Sequence, residues 1–169
     1  MLKQFYPKEW TDSTYGIPWE TWYGKGIRGV IFDVDNTLVP HDQPADQRAV
    51  TLFGTLHAMG IRTCLLSNNK EPRVAAFGAR VDSPYIYKSG KPSVRGYRKA
   101  MDLMGTSRHT TLFVGDQLFT DIYGANRAGV YSILVKPIHP KEEIQIVVKR
   151  WLEAVVLYFY KKQLKKHKI

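Results

Sequence analysis

Val30-Ile31-Phe32-Asp33-Val34-Asp35-Asn36-Thr37 is the stretch that decides the fold. An apolar run ends in two carboxylates two residues apart. Apolar runs bounded by polar turn residues read as buried strands. A parallel strand buried on both faces has no place for an unpaired carboxylate. The aspartates therefore belong at the strand's carboxyl end, where open α/β sheets bind their ligands. Two close carboxylates repel each other, and a divalent cation relieves the repulsion.

Upstream, residues 1–28 are rich in aromatics: Phe5, Tyr6, Trp10, Tyr15, Trp19, Trp22 and Tyr23. Ile17 to Tyr23 predicts a short helix with Pro18 near its start. The tryptophans are expected to cover one edge of the core rather than to form a binding box. Downstream, a polar loop is followed by a predicted helix from near Pro44 to Met59, with Ala49, Leu52, Phe53 and Leu56 on one face and Gly60 as its cap. Then come a strand over Ile61 to Leu66, a helix from about Glu71 to Gly78, and a short strand over Tyr85 to Tyr87. A turn at Lys88 to Pro92 leads into a helix over Ser93 to Met104. A strand over Thr111 to Val114, a helix closed by Gly129, and a strand over Val130 to Val135 complete the pattern. Strands alternating with helices predict an α/β fold, a three-layer sandwich with helices on both faces of a mainly parallel sheet.

A chain of 169 residues with 44% apolar content suits a single core. One cysteine, Cys64, excludes an internal disulfide and a zinc cluster, and fits a reducing compartment. No apolar stretch reaches the ~18 residues of a membrane-spanning helix. Met1 to Pro7 lacks the apolar core of a signal peptide, so the expected location is cytoplasmic. The net charge of +10 favours anionic partners: acidic lipid, phosphorylated small molecules or nucleic acid.

Four predicted strand ends stop on chemistry-bearing residues. These are Asp33 with Asp35, Ser67-Asn68-Asn69, Lys91 before Pro92, and Gly115-Asp116 with Asp121. In a doubly wound sheet such stops share one edge. The ordered set, over about residues 27 to 136, resembles the four motifs of the haloacid dehalogenase (HAD) phosphohydrolases. That resemblance implies a HAD-like Rossmannoid sheet and hydrolysis of a phosphomonoester through an aspartyl-phosphate. By the same resemblance Asp33 is the nucleophile, and Asp35 is first general acid and then general base. Asp33, the Asp35 carbonyl and Asp116 would ligate Mg²⁺, with Asp121 acting through water. Ser67 and the backbone N–H groups of Val34 and Asn68 would hold the phosphoryl oxygens, and Lys91 would neutralise charge. Thr37 is expected to order the loop.

HAD enzymes often carry an inserted cap domain, but here neither Leu38 to Leu66 nor Asn69 to Gly90 is long enough for one. An uncapped site suits a bulky substrate or one presented by a surface. Asp33-Val34-Asp35-Asn36-Thr37-Leu38-Val39, Ser67-Asn68-Asn69 and Gly115 to Asp121 resemble the YqeG-like, uncapped subfamily IIIA phosphatases. Asn126-Arg127-Ala128-Gly129 and Phe5-Tyr6-Pro7 add to the match. This group is similar to phosphatidylglycerophosphate phosphatases, which implies an anionic phospholipid substrate. Phosphatases for small soluble phosphometabolites or phosphoproteins are the alternative. An RNA- or ribosome-associated binding protein is the alternative of another class, although no aromatic-plus-basic RNA module is present.

Other residues read as structural or secondary. Cys64 is expected to fill the core, and His57 to face outward. His41, Asn69 and Lys70 are candidates for substrate contact. Residues 138–169 separate from the 1–137 phosphatase unit as a basic amphipathic helix and tail. Ile144, Val148, Trp151, Leu152, Val155 and Phe159 share one face, and lysines follow from Lys161 to Lys168. Aromatics beside clustered lysines suit a bilayer interface. Packing on the chain's own domain or on a second copy is the other reading, and the two are compatible. Oligomeric state is left open.

Overall fold

A computed structural model describes residues 2–139 and 144–166. Six strands form one sheet: β1 (Glu9–Thr11), β2 (Gly29–Phe32), β3 (Arg62–Leu66), β4 (Tyr85–Ile86), β5 (Thr111–Gly115) and β6 (Tyr131–Val135). Their order is β1-β6-β5-β2-β3-β4, and every neighbouring pair runs parallel. From β2 the chain moves to β3 and β4 on one side, then returns to β5 and β6 on the other. This reversal opens a crevice at the carboxyl end of β2.

Alternation along β2 divides the core. Val30 and Phe32 join the cluster under α1 (Trp19–Gly24), α2 (Gln47–Ala58) and α3 (Glu71–Val81). Ile31 joins the opposite cluster, with α4 (Val94–Met104) and α5 (Tyr123–Ala128). Phe53 of α2 is fully buried with its ring 5.0 Å from that of Phe32. Burying such a side chain stabilises the fold by about 1.5–3 kcal/mol. Helix starts follow local chemistry: the Asp46 carboxylate accepts the Ala49 N–H and so caps α2, and the Ser93 hydroxyl caps α4. No inserted domain interrupts the sheet on either side of β3: 38–66 carries only α2 and β3, and 69–90 only α3 and β4.

Trp19 and Trp22 are buried against the core, as expected. Cys64 is buried too, and burial pushes its thiol up to about 12. Three expectations need correction. The aromatic segment also contains a strand, β1, which pairs with β6 through Glu9↔Ile133. Three residues are too few for periodicity to register. His57 does not face outward; it is half-buried, and its Nε2 lies 2.9 Å from the Thr63 hydroxyl, tying α2 to β3. The helix after β5 opens with a π-helical turn, Leu118–Ile122, before α5.

The C-terminal helix α6 covers Ile144–Lys166; the expected start at Lys141, and His167 and Lys168, fall outside the described residues. Val156 and Tyr160 are buried against the domain, Val156 in a cluster with Leu118, Ile122 and Leu134. Val148, Trp151, Leu152, Val155 and Phe159 are exposed. The helix thus packs on its own domain with the face opposite to its apolar one. Among the described residues no helix is long and apolar enough to cross a membrane.

Candidate active site

β2 delivers Asp33 to the carboxyl edge, and its N–H extends the ladder to the Val114 carbonyl at 2.9 Å. β5 ends beside it and delivers Asp116, which is 2% exposed. The π-helical turn swings Asp121 back under the same edge. Its Oδ2 accepts the N–H groups of Asp116 at 3.2 Å and Gln117 at 3.1 Å. Gly115 makes this approach possible: a Cβ there would stand 2.7 Å from Asp121 Oδ2. Carboxylate oxygens of Asp33, Asp116 and Asp121 lie within 4.8 Å of one another.

Lys91 enters from the turn before α4. Its Nζ is 2.6 Å from Asp33 Oδ1 and 2.8 Å from Asp121 Oδ1. Asn68 braces that turn: its Oδ1 accepts the Lys91 N–H at 2.8 Å, and its Nδ2 donates to the Lys91 carbonyl at 3.3 Å. Burial works against the Lys91 charge, but Asp121 and Asp33 more than offset it, and its pKa is raised. Burial pushes Asp33 up to about 6, with Lys91 opposing and Asp121 adding to the rise. Asp116 is raised well above the usual carboxylate range by burial, then by Asp33 and Asp121, with Arg150 opposing.

Asp35 sits in a different environment. Its Oδ1 accepts from Arg73 Nη2 at 3.0 Å and from the Asp42 N–H at 2.9 Å. Its Oδ2 accepts from Asn69 Nδ2 at 3.3 Å. Burial raises its pKa, yet these partners outweigh burial and hold it below the ordinary value. Thr37 does more than order the loop: its hydroxyl lies 2.9 Å from Asp33 Oδ2 and 3.1 Å from Asp116 Oδ1. Ser67 is nearly buried at the rim, and its Oγ accepts the Asn69 N–H at 3.1 Å. The side chain of Val34 stays in the core, so only its backbone is available to a ligand. Asp33, Asp35, His41, Ser67, Asn68, Asn69 and Lys91 all line one open cavity of about 420 Å³, and Lys70 is not among its lining residues.

Sequence reasoning missed Arg73 and the pair Arg150 and Glu153. Arg150 of α6 bonds Asp116 Oδ2 through Nη2, and its Nη1 is 2.5 Å from the Asp116 carbonyl. Lys149, its neighbour, reaches the same cavity and donates to Gln117 Oε1 at 3.3 Å. The available signal was an arginine and a glutamate three apart, beside Lys149, within the mostly apolar run from Ile146 to Tyr160.

The donor set fits a divalent cation. Three carboxylates against one ammonium leave two negative charges when all are ionised, and hard oxygen ligands suit Mg²⁺. The geometry supports this fit: the three buried aspartates each offer a carboxylate oxygen, all within 4.8 Å of one another.

Comparison with known proteins agrees with this geometry. The family described as haloacid dehalogenase-like hydrolase matches residues 41–129. The Bacillus subtilis (strain 168) protein named "Probable phosphatase YqeG" is 34% identical over 165 residues, 96% of this chain and 96% of its own. Phosphatidylglycerophosphate phosphatase 1, chloroplastic/mitochondrial, of Arabidopsis thaliana is 28% identical over 156 residues. That match covers 80% of this chain but 45% of the plant protein, so the chain spans about half of that relative's length. Among solved structures, the cobalt-bound deoxy-D-mannose-octulosonate 8-phosphate phosphatase of Haemophilus influenzae superposes with a TM-score of 0.51 at 17% identity. It covers 67% of this chain and 80% of that one, and shares the fold. By sequence and by fold, the chain belongs to the haloacid dehalogenase-like hydrolases.

Proposed function

We propose that this phosphatase is a Mg²⁺-dependent phosphomonoesterase that works through an aspartyl-phosphate on Asp33. The observation that carries this reading is the gathering of Asp33, Lys91, Asp116 and Asp121 on one rim of the sheet. The substrate phosphate enters the cavity between Ser67 and Lys91. The Asp33 carboxylate attacks phosphorus, and the P–O bond to the alcohol breaks. Asp35 takes up the proton carried in by the phosphate monoanion and gives it to the leaving oxygen. Asp35 then takes a proton from water, and the water oxygen attacks the phosphoryl group. Phosphate leaves and Asp33 is regenerated. Arg73 and Asn69 hold Asp35 as the carboxylate that this second step needs. The Lys91 ammonium stabilises charge on the phosphoryl oxygens, with the N–H groups of Val34 and Asn68 and the Ser67 hydroxyl beside it. Asp33, the Asp35 carbonyl and Asp116, backed by Asp121, would hold Mg²⁺. When bound, the ion supplies positive charge against the incoming phosphate.

We infer further that the substrate is an anionic phospholipid monoester, phosphatidylglycerophosphate, met at the inner face of a membrane. The plant relative's name supports this reading, as do the absence of an inserted cap and the exposed aromatic face of α6 beside Lys162 and Lys165. Asp33→Asn should lower turnover by at least about a thousandfold while leaving the melting curve in place. Undiminished turnover in that variant refutes the nucleophile. Purified protein offered lipid monoesters in vesicles and soluble sugar or nucleotide monoesters should prefer the lipid. Preference for the soluble esters assigns the site to small phosphometabolites instead.

A further inference from the structure

Arg150 belongs to none of the strand ends that build the site, yet it grips one of the site's acids at two points. Its Nη2 bonds Asp116 Oδ2, and its Nη1 is 2.5 Å from the Asp116 backbone carbonyl. A planar guanidinium spanning the carboxylate and carbonyl of one residue fixes that side chain's torsion. The other oxygen, Asp116 Oδ1, stays on the Thr37 side, 3.1 Å from the hydroxyl that also meets Asp33. Arg150 is itself held by Glu153, with Nη1 3.0 Å from Oε2. Glu153 is 4% exposed, and its Oε1 accepts the Leu118 N–H at 3.0 Å. Asp116 and the π-helical turn that carries Asp121 are therefore pinned to α6 through Arg150 and Glu153, with Lys149 on Gln117 beside them.

We propose that Arg150 is a positioning residue for the divalent cation, acting through Asp116, so that the C-terminal helix completes the site. The proposal rests on the three carboxylates being the seat of Mg²⁺. Arg150 and Glu153 together are neutral. The pair adds no net charge to the site, and what it supplies is the orientation of Asp116. Partners of this kind behind a ligating carboxylate contribute about 10- to 100-fold in metal affinity.

The test uses the full chain with Arg150→Ala, Arg150→Lys and Asp116→Asn. Mg²⁺ binding without substrate is read by titration calorimetry, and Mn²⁺ binding by electron paramagnetic resonance. Metal-free melting is followed alongside. Arg150→Ala is expected to weaken Mg²⁺ about 10- to 100-fold. Arg150→Lys should recover only part of this, because an ammonium reaches the carboxylate but does not span carboxylate and carbonyl. Turnover at saturating Mg²⁺ should recover more than turnover at limiting Mg²⁺. A folded Arg150→Ala protein with unchanged or tighter Mg²⁺ binding overturns the proposal and leaves Arg150 as a helix-docking contact. Should Arg150→Ala not fold, Arg150→Lys decides, and unchanged Mg²⁺ affinity in that variant overturns it equally. The metal reading fails separately: then the unmodified protein binds no Mg²⁺ and Asp116→Asn changes nothing.

Discussion

Helices α2 and α6 turn opposite kinds of face toward the domain. α2 buries Ala49, Leu52, Phe53 and Leu56 and exposes Gln47, Thr51 and Thr55. That is the ordinary arrangement of an amphipathic helix on a core. α6 turns Arg150 and Glu153 inward beside Val156 and Tyr160. It leaves Trp151 68% exposed and Tyr158 62% exposed, with Val148, Leu152, Val155 and Phe159 around them. α2 serves the core alone, whereas α6 holds the acid cluster with its inner face and leaves an apolar stripe exposed.

The sharpest test of this contrast is Phe53→Ala in α2. It should cost about 3–5 kcal/mol in denaturant unfolding, since it removes a fully buried ring. Val156→Ala, on the inner face of α6, should cost less, roughly 1–3 kcal/mol, because it removes two methyl groups rather than an aromatic ring. Equal losses at the two positions would break the contrast and make α6 a core helix like α2.

The same contrast marks where the sequence was readable. The strand ends were legible because each apolar run stops on a polar residue, and parallel strands must put those stops on one edge. That logic placed Asp33, Ser67, Lys91, Asp116 and Asp121 together with no side-chain information. The faces of α2 were legible because an apolar stripe normally points inward. α6 has such a stripe too, but periodicity locates a face without saying which way it points. The arginines were hidden for another reason. Arg73 is 38 residues from Asp35, and Arg150 is 34 from Asp116. Nothing local to an arginine on a helix says which carboxylate it will meet.

A smaller effect should appear at the basic end of α6. Lys162 and Lys165 are exposed, whereas Lys161 Nζ lies over the Trp10 ring at 4.4 Å. Each lysine near an anionic bilayer contributes about 1 kcal/mol at moderate salt. Lys162→Gln with Lys165→Gln should therefore weaken binding to phosphatidylglycerol-containing vesicles by roughly 30-fold, with folding untouched. Vesicle sedimentation at two salt concentrations measures it. Equal binding by the unmodified protein and the double variant would remove the lysines from the docking surface.

The smallest expected change is the most telling. Trp151→Ala takes away a large aromatic, yet the side chain stands mostly in solvent. Its loss should alter unfolding free energy by no more than about 0.5 kcal/mol. If the outer face of α6 meets lipid, the same variant should partition less onto vesicles and turn over lipid monoesters more slowly. It should hydrolyse a small soluble ester at the original rate. A stability loss approaching that of Phe53→Ala would mean that Trp151 is covered in solution. The cover would then be a second copy of this chain, and the melting point would rise with protein concentration. Stability and partition thus move independently only if the exposed stripe exists to meet a surface rather than to complete a core.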